Sequence, residues 1–282
     1  RFEPALLGSA GVAGVFGKEY VYGRQDRNGT TFEEELKRIG YKGEQNHRLK
    51  DIYAFIELHI EQGPILESEG ISIGAVKGIQ GVNWLEVEVR GESNHSSTTP
   101  MPMRKDALTA ASKMIIAIEE IGRSFDFAFC TVGRINVAPN IVNCIPEQVV
   151  FSIDIRHFDN DQRIKLVQKI KSELCFIAKQ HNISLKINEI WNDDSTHFHH
   201  SLVELICNSA QKYGYSVKKM ISGAGHDSKN INRIAPTAMI FVPSVNGKSH
   251  TVSELTLDED IERGANVLLD VVYQLANQTE PL

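Results

Sequence analysis

The order of six elements in the middle of the chain constrains the fold more than any other feature. Residues 84–91 alternate strictly, with aliphatic side chains on one face and charged ones on the other, as in a half-buried strand. Helical spacing follows over 104–121, and Gly122 is the expected stop of that helix. Further strands are expected over 127–137 and 147–156.

A second helix is predicted over 161–181, with Asp159 or Asn160 as its N-cap. A last strand over 183–190 closes the series. The inward residues of this second helix are expected to be Ile164, Val167, Ile170, Leu174 and Ile177. Strand-helix-strand-strand-helix-strand is the split βαβ arrangement, in which two helices cover one face of an antiparallel sheet. We assign it to a small domain over residues 79–193.

The flanking segments have a different pattern. Residues 200–213 are helical, and the continuous apolar run 236–242 is typical of a strand that is buried on both faces. Thr256 and Glu259 form a capping box for a final helix over about 257–277. Alternating strands and helices indicate an α/β domain. The small domain therefore interrupts a larger one made of residues 1–78 and 194–282.

Composition excludes several classes of protein. The 282 residues carry a formal net charge of −6, whereas nucleic-acid binders show a basic domain or stripe. No apolar run approaches the roughly 18 residues of a membrane span, and no signal peptide is recognised at the start. The four cysteines form no CxxC pair, which favours reduced thiols and a cytoplasmic location.

Two histidines stand out as metal-ligand candidates. In an extended segment His59 is flanked at i±2 by Glu57 and Glu61, and carboxylates commonly orient a ligating imidazole. Alternating surface charge would give the same pattern. His250 follows the buried strand 236–242 by one short loop, where open α/β sheets bind ligands.

Three residues in two polar stretches are candidates for substrate contacts. His95 follows the strand 84–91 in a Ser- and Thr-rich stretch that could also be an ordinary turn. Gly225 and His226 belong to a glycine-rich turn, whose backbone N–H groups could approach an anion.

Asn143 and Arg156 stand at the two ends of one segment. A guanidinium is a two-pronged donor suited to a carboxylate, so Arg156 could bind an acidic group of a substrate. The alternative is that Arg156 pairs with Asp154 on the outer face of a strand.

Five strings in this sequence, taken in order, resemble the amidase/hydantoinase/carbamoylase branch of the metallopeptidase M20 fold. This branch includes N-carbamoyl-L-amino acid hydrolases, allantoate amidohydrolases and β-ureidopropionases. The strings are ELHIEQGP (57–64), NHSSTTPM (94–101) with RKDA (104–107), PN (139–140) through Asn143 to DIRH (154–157), SGAGHD (222–227), and FVPS (241–244) with SH (249–250).

The resemblance implies a discontinuous, phosphorylase/hydrolase-like catalytic α/β domain that carries two divalent metal ions. The inserted ferredoxin-like domain would be a lid through which the protein forms a homodimer. Carried over by position, His59 would ligate one metal and His250 the other. The ions would be Zn or Mn, with Co and Ni as further choices, because such ligand sets accept several metals.

The resemblance also implies a reaction. Gln62, Asn143, Arg156, Gly225 and His226 match substrate-binding positions, and Arg156 would hold a carboxylate. His95 would stabilise the oxyanion together with Asn143, across the dimer. A metal-activated water would attack a ureido carbonyl, and a carboxylate would act as base. An N-carbamoyl-L-amino acid or allantoate would then release ammonia and CO2.

The family pattern further requires a His and an Asp about ten residues apart, followed by a Glu-Glu pair that supplies the base and a ligand. The resemblance places these residues upstream of Arg1, so we expect the 282 residues alone to bind metal weakly and to turn over negligibly. One departure is that Ser96-Ser97 replaces the commoner Ala-Gly. It leaves His95 in place.

Two other functions remain open from the sequence. A related M20 enzyme could cleave a peptide or an acyl-amino acid, although Gln62, Asn143 and Arg156 favour a ureido substrate. The chain by itself could also be a non-catalytic dimerisation module. The sequence does not distinguish carbamoyl-amino acids from allantoate or β-ureidopropionate.

Overall fold

The computed structural model describes residues 1–43, 51–278 and 282. Its helices are α1 (Leu7–Val12), α2 (Lys18–Tyr22), α3 (Phe32–Arg38), α4 (Ile65–Glu69), α5 (Ala107–Arg123), α6 (Asn160–Gln180), α7 (His200–Lys212), α8 (Ser228–Ile231) and α9 (Asp258–Ala276), with 3-10 turns at Met101–Met103 and Val245–Gly247. Its strands are β1 (Phe55–Ile60), β2 (Ile73–Ile79), β3 (Gly81–Arg90), β4 (Phe129–Thr131), β5 (Ile135–Ala138), β6 (Gln148–His157), β7 (Ser184–Asp193), β8 (Thr196–His197), β9 (Val217–Ser222) and β10 (Thr237–Val242).

The chain divides into two compact units. Unit 1 consists of Arg1–Ile79 and Thr196–Leu282, and unit 2 consists of Gln80–Ser195. Each unit contains its own five-stranded sheet and its own cluster of buried apolar side chains. No helix in the described part of the chain combines the length and the apolar character that crossing a bilayer requires.

In unit 1, β1 runs parallel to β10, and β10 runs antiparallel to β2. β2 also pairs with β9 in parallel and with the short β8 at its end. Every residue of β10 is buried, as its continuous apolar sequence predicts. Helices α7 and α9 pack on the sheet with their apolar faces, which adds Leu202, Ile206 and Val267 to the core.

In unit 2, the strands are antiparallel in the order β4-β6-β3-β7, and β5 also pairs with β6. The aliphatic residues of β3 are buried against α5 and α6, while the charged residues between them face away. Alternation along the strands and helical periodicity in α5 and α6 therefore produce one core between the sheet and the two helices.

Four details differ from the sequence expectations. The segment 127–137 forms two short strands, and Phe127 before them has a positive φ of 60°. Gly122 lies inside α5 and does not end it; a Cβ there would lie 3.0 Å from the Cβ of Cys130, so this helix position needs a small residue. In α6, Ile164 is exposed and Arg163 is buried in its place.

The expected capping box at the last helix is also absent. The Thr256 hydroxyl donates to the carbonyl of Pro243 at 2.9 Å, and Leu257 is the N-cap of α9. A true capping box occurs at α3, where Thr31 and Glu34 satisfy each other's backbone N–H groups. The Thr256 hydroxyl instead fixes the loop after β10.

Candidate functional site

The carboxyl ends of two parallel strands define the candidate site in unit 1. His59 of β1 lies in register with Phe241 of β10, so both strands end at the same edge of the sheet. The loops that follow border an open cavity of about 500 Å³ whose lining includes His59, Gln62, His250 and Glu254. Ligands bind at such edges in α/β proteins.

A cluster of three possible metal ligands lies in unit 1. Glu57, His59 and His226 each offer a ligand atom, and these atoms lie within 4.8 Å of one another. Glu57 and His59 share one face of β1 because they are two residues apart in a strand. His226 reaches them from the loop after β9, and its ring packs edge-to-face on His59 with centroids 4.5 Å apart.

One hydrogen bond fixes the tautomer of the His59 ring. Its Nδ1 lies 2.8 Å from the carbonyl oxygen of Ile60, which can only accept, so Nδ1 carries the proton. The neutral ring therefore keeps its lone pair on Nε2. This backbone-oriented imidazole is the usual arrangement of a histidine that binds a metal.

Burial controls the charges of the other two members. It lowers the pKa of His226 to about 4, with a further contribution from His59, so His226 is neutral at physiological pH. It raises the pKa of Glu57, while the backbone N–H of Ser228, 3.0 Å from Oε2, opposes that rise. Two imidazoles beside one carboxylate form a donor set that Zn²⁺ and other borderline divalent ions accept.

The predicted site residues of unit 1 fall into two groups. His59 and His226 belong to the cluster, whereas His250 and Gln62 meet at the rim of the cavity, with Gln62 Nε2 3.4 Å from His250 Nε2. Gln62 and His250 both have left-handed backbones, with φ of 57° and 58°. Such strain in non-glycine residues is concentrated at functional sites.

The two carboxylates that flank His59 have different roles. Glu57 belongs to the cluster, although the sequence alone does not separate it from a charged surface residue. Glu61 lies beyond the end of β1, where the alternation no longer applies, and its carboxylate accepts the backbone N–H groups of Ile65 and Leu66 at 2.8 Å each. It caps the start of α4.

The glycine-rich turn serves to position His226. The Ser222 hydroxyl lies 2.8 Å from His226 Nε2 and also accepts the backbone N–H of Ala224 at 3.1 Å. Among the described residues, a Cβ at Gly225 would meet Leu6 Cδ1 alone, at 3.8 Å. The short α8 that follows is held to the sheet by the Ser228 hydroxyl, 3.0 Å from the sulfur of Met239.

In unit 2, the His95 loop is fixed by backbone pairing. Ser96 N–H donates to the carbonyl of Asn143, and Ile145 N–H donates to that of Asn94, at 3.0 and 2.8 Å. Two of the predicted residues, His95 and Asn143, are therefore brought together by a small antiparallel ladder. The guanidinium of Arg104 donates to the carbonyls of Ser96 and Thr99 and holds the far side of this loop.

The ring of His95 has a defined tautomer. The backbone N–H of Ser97 lies 3.2 Å from Nδ1, and the Ser97 hydroxyl lies 3.0 Å from the same atom. A backbone N–H can only donate, so Nδ1 accepts and the neutral ring carries its proton on Nε2. His95 is exposed and can offer that N–H as a donor.

Arg156 makes the contact that the sequence left as the alternative. Its guanidinium donates to Asp154, with Nε 2.9 Å from Oδ1 and Nη2 2.8 Å from Oδ2. This two-pronged contact raises the pKa of Arg156 further above its ordinary value. Both residues point away from the helices, on the open face of the sheet.

The chain is similar to known proteins over nearly its whole length. Residues 28–274 match the family model "Peptidase family M20/M25/M40". The chain is 37% identical over 281 residues to an N-carbamoyl-L-amino-acid amidohydrolase of Rhizobium meliloti, and 35% identical over 282 residues to an allantoate amidohydrolase of Escherichia coli K12. Each alignment covers 99% of this chain and 68% of the relative.

A crystal structure of an amidase of the hydantoinase/carbamoylase family from Burkholderia multivorans is similar to the whole chain. The TM-score is 0.96 at 39% identity, and the match covers 100% of this chain and 68% of the other. The resemblance inferred from the five strings is thereby confirmed. The chain belongs to the M20/M25/M40 peptidase family, in its hydantoinase/carbamoylase branch.

Proposed function

We propose that the protein hydrolyses the C–N bond of a ureido group in an N-carbamoyl-L-amino acid or in allantoate and releases ammonia and CO2. The observation that carries the proposal is the cluster of Glu57, His59 and His226 beside a cavity lined by Gln62 and His250. The names of the similar proteins, which are amidohydrolases of ureido compounds, support the substrate class.

The reaction requires a divalent metal in this proposal. His59 would hold one ion through Nε2, and His250 would hold a second, with Zn or Mn as first choices and Co or Ni as others. A bound ion supplies an acidified water and polarises the carbonyl oxygen of the substrate. The neutral state of His226 keeps the surroundings of His59 free of a competing positive charge.

The remaining roles belong to the polar side chains of the two units. Gln62 and His226 would orient the substrate in unit 1, where Gly225 leaves the turn unobstructed. His95 would donate its Nε2–H to the developing oxyanion, with Asn143 as a second donor. Arg156 would exchange its contact with Asp154 for the carboxylate of the substrate, since a guanidinium fits both equally well.

The protein would act as a homodimer formed through unit 2, and His95 would serve the site of the partner subunit. Light scattering of the purified protein measures its mass in solution. A monomer at micromolar concentration with full activity would contradict this part of the proposal.

The test of the function is a metal-dependent ammonia assay. The enzyme, expressed from its complete gene, is stripped with a chelator and reloaded with Zn or Mn before N-carbamoyl-L-amino acids and allantoate are supplied. We expect His59→Ala to lower kcat/KM at least about 100-fold, because loss of one ligand or its support costs metal affinity on that scale. Bound metal, measured by mass spectrometry, should fall in parallel.

His200→Ala is the matched control, since the side chain of this histidine is 86% exposed and its Nε2 lies 3.2 Å from Glu204 on the same helix. It should retain both metal and activity. Absence of ammonia from every ureido compound in the metal-loaded enzyme would refute the proposed function.

A further inference from the structure

A chain of three side chains lies at the rim of the unit 1 cavity. The Ser249 hydroxyl is 2.7 Å from Glu254 Oε2 and 3.0 Å from Gln62 Nε2. The same carboxylate oxygen accepts the backbone N–H of His250 at 2.9 Å. Gln62 and Glu254 both border the cavity.

The Ser249 hydroxyl has one proton, and the partner that receives it determines which atom of the Gln62 amide faces Ser249. The backbone N–H of His250 can only donate, so Glu254 Oε2 accepts it, and a carboxylate likewise offers an acceptor to the Ser249 hydroxyl. The single hydroxyl proton of Ser249 is therefore donated to Glu254. The remaining lone pairs of Ser249 can only accept, and the atom of Gln62 that faces them must be the NH2 group.

The backbone of Gln62 is fixed as well. Its N–H donates to the hydroxyl of Ser244 at 3.1 Å, and Ser244 is fully buried. With Nε2 directed at Ser249, the carbonyl oxygen Oε1 is the amide atom left for a ligand. Within the described residues no hydrogen bond to Oε1 is present.

We propose that Ser249 and Glu254 are positioning residues that hold Gln62 with Oε1 as an acceptor, and that this acceptor recognises the terminal NH2 of a ureido group. The inference rests on the proposed function and refines it. An N-carbamoyl group carries that NH2, whereas an N-formyl group of nearly the same shape carries only a hydrogen. The orientation of Gln62 by Ser249 and Glu254 therefore makes the enzyme select carbamoyl over formyl substrates.

The experiment compares an N-carbamoyl-L-amino acid with the N-formyl derivative of the same amino acid. Steady-state kcat/KM is measured for the metal-loaded enzyme from the complete gene and for Ser249→Ala, Ser249→Thr and Ser253→Ala. Ser253 lies in the same loop and contacts Thr251, 3.0 Å away, so Ser253→Ala is a matched loss of one hydroxyl.

We expect Ser249→Ala to lower the carbamoyl-to-formyl ratio of kcat/KM by about three- to tenfold, the usual worth of one hydrogen bond. The value for the formyl compound should change less than about twofold, which a general loss of folding or of metal would not allow. Ser249→Thr keeps the hydroxyl and should restore the ratio, and Ser253→Ala should leave it at the wild-type value.

The outcomes separate the two proposals. Hydrolysis of both compounds with an unchanged ratio in Ser249→Ala would overturn the positioning role while leaving the ureido hydrolase intact. Hydrolysis of neither compound by the wild-type enzyme would refute the proposed function, and with it the substrate group named here. An equal fall in kcat/KM for both compounds would contradict the positioning role and show that Ser249 only stabilises the structure.

Discussion

His226 shows how a single side chain acquires an unusual environment from distant parts of the chain. Ser222 contacts its Nε2, the carboxylate of Glu57 lies 3.8 Å from its Nδ1, and the ring of His59 packs against it. The sequence indicated a glycine-rich turn at this position but not its partner on β1. That pairing depends on tertiary packing, which local spacing does not contain.

The lowered pKa of His226 predicts how stability depends on pH. The folded protein binds this proton near pH 4, whereas an unfolded histidine binds it near its ordinary value of 6.5. The unfolded state therefore holds more protons between these values, and stability falls as pH falls through that window. For the chelator-treated protein we expect a loss of up to about 3 kcal/mol from this residue.

Urea unfolding between pH 7 and pH 4 measures this loss. His226→Gln removes the titrating group and keeps a polar side chain, so its free energy of unfolding should depend less steeply on pH than that of the wild type. Parallel curves for the two proteins would show that His226 titrates normally.

At the scale of single elements, α9 lies very close to the sheet of unit 1 at Gly264. A Cβ at this position would lie 2.6 Å from Val242 Cγ1 and 2.8 Å from Leu58 Cδ1. The glycine is therefore a contact surface between the helix and strands β1 and β10. Because Gly264 has no side chain, α9 can pack directly on β1, which carries His59, and on β10.

We predict that Gly264→Ala destabilises the protein by up to about 2 kcal/mol. The alanine gains about 1 kcal/mol of helix propensity, but overpacking of a full core costs about 1–3 kcal/mol. Gly8→Ala in α1 is the control, since no atom of the described residues beyond its chain neighbours and its own helix backbone lies within 4 Å of the added Cβ. This variant should be neutral or stabilised by about 0.5 kcal/mol. Thermal unfolding of both variants tests the difference.

Periodicity predicted most elements of unit 2 closely, including a helix over 161–181 that is observed at Asn160–Gln180 with Asp159 as its cap. Local patterns were wrong where a residue serves a partner elsewhere in the chain. Thr256 matched a capping box, but its hydroxyl is used by Pro243. Ile164 matched the inward face of α6, yet Arg163 is buried there because several acceptors surround its guanidinium.

Those acceptors make Arg163 important for unit 2 as a whole. Its guanidinium donates to the carbonyl of Val82 at 3.2 Å, to Asn192 at 2.8 Å and to Asp194 at 2.5 Å. The first of these lies where the chain enters the unit, and the other two lie where it leaves. One side chain, 1% exposed, therefore joins the beginning and the end of the unit.

At the scale of the whole molecule, we predict that residues 80–195 fold without the rest of the chain. Their buried apolar cluster lies entirely within the segment, and their ends are joined by Arg163. Circular dichroism of the isolated segment should show one cooperative thermal transition. A gradual loss of signal without a transition, in a monomer or in a dimer, would contradict this.

The two residues of unit 1 that flank this segment are also paired with each other. Ile79 and Thr196, the residues of unit 1 that flank the segment, are direct partners in the ladder between β2 and β8. A two-residue hairpin turn could therefore replace the entire segment without moving either strand. A gene could gain or lose such a cassette in one recombination event, and neither host nor insert would need to adapt its backbone at the joint.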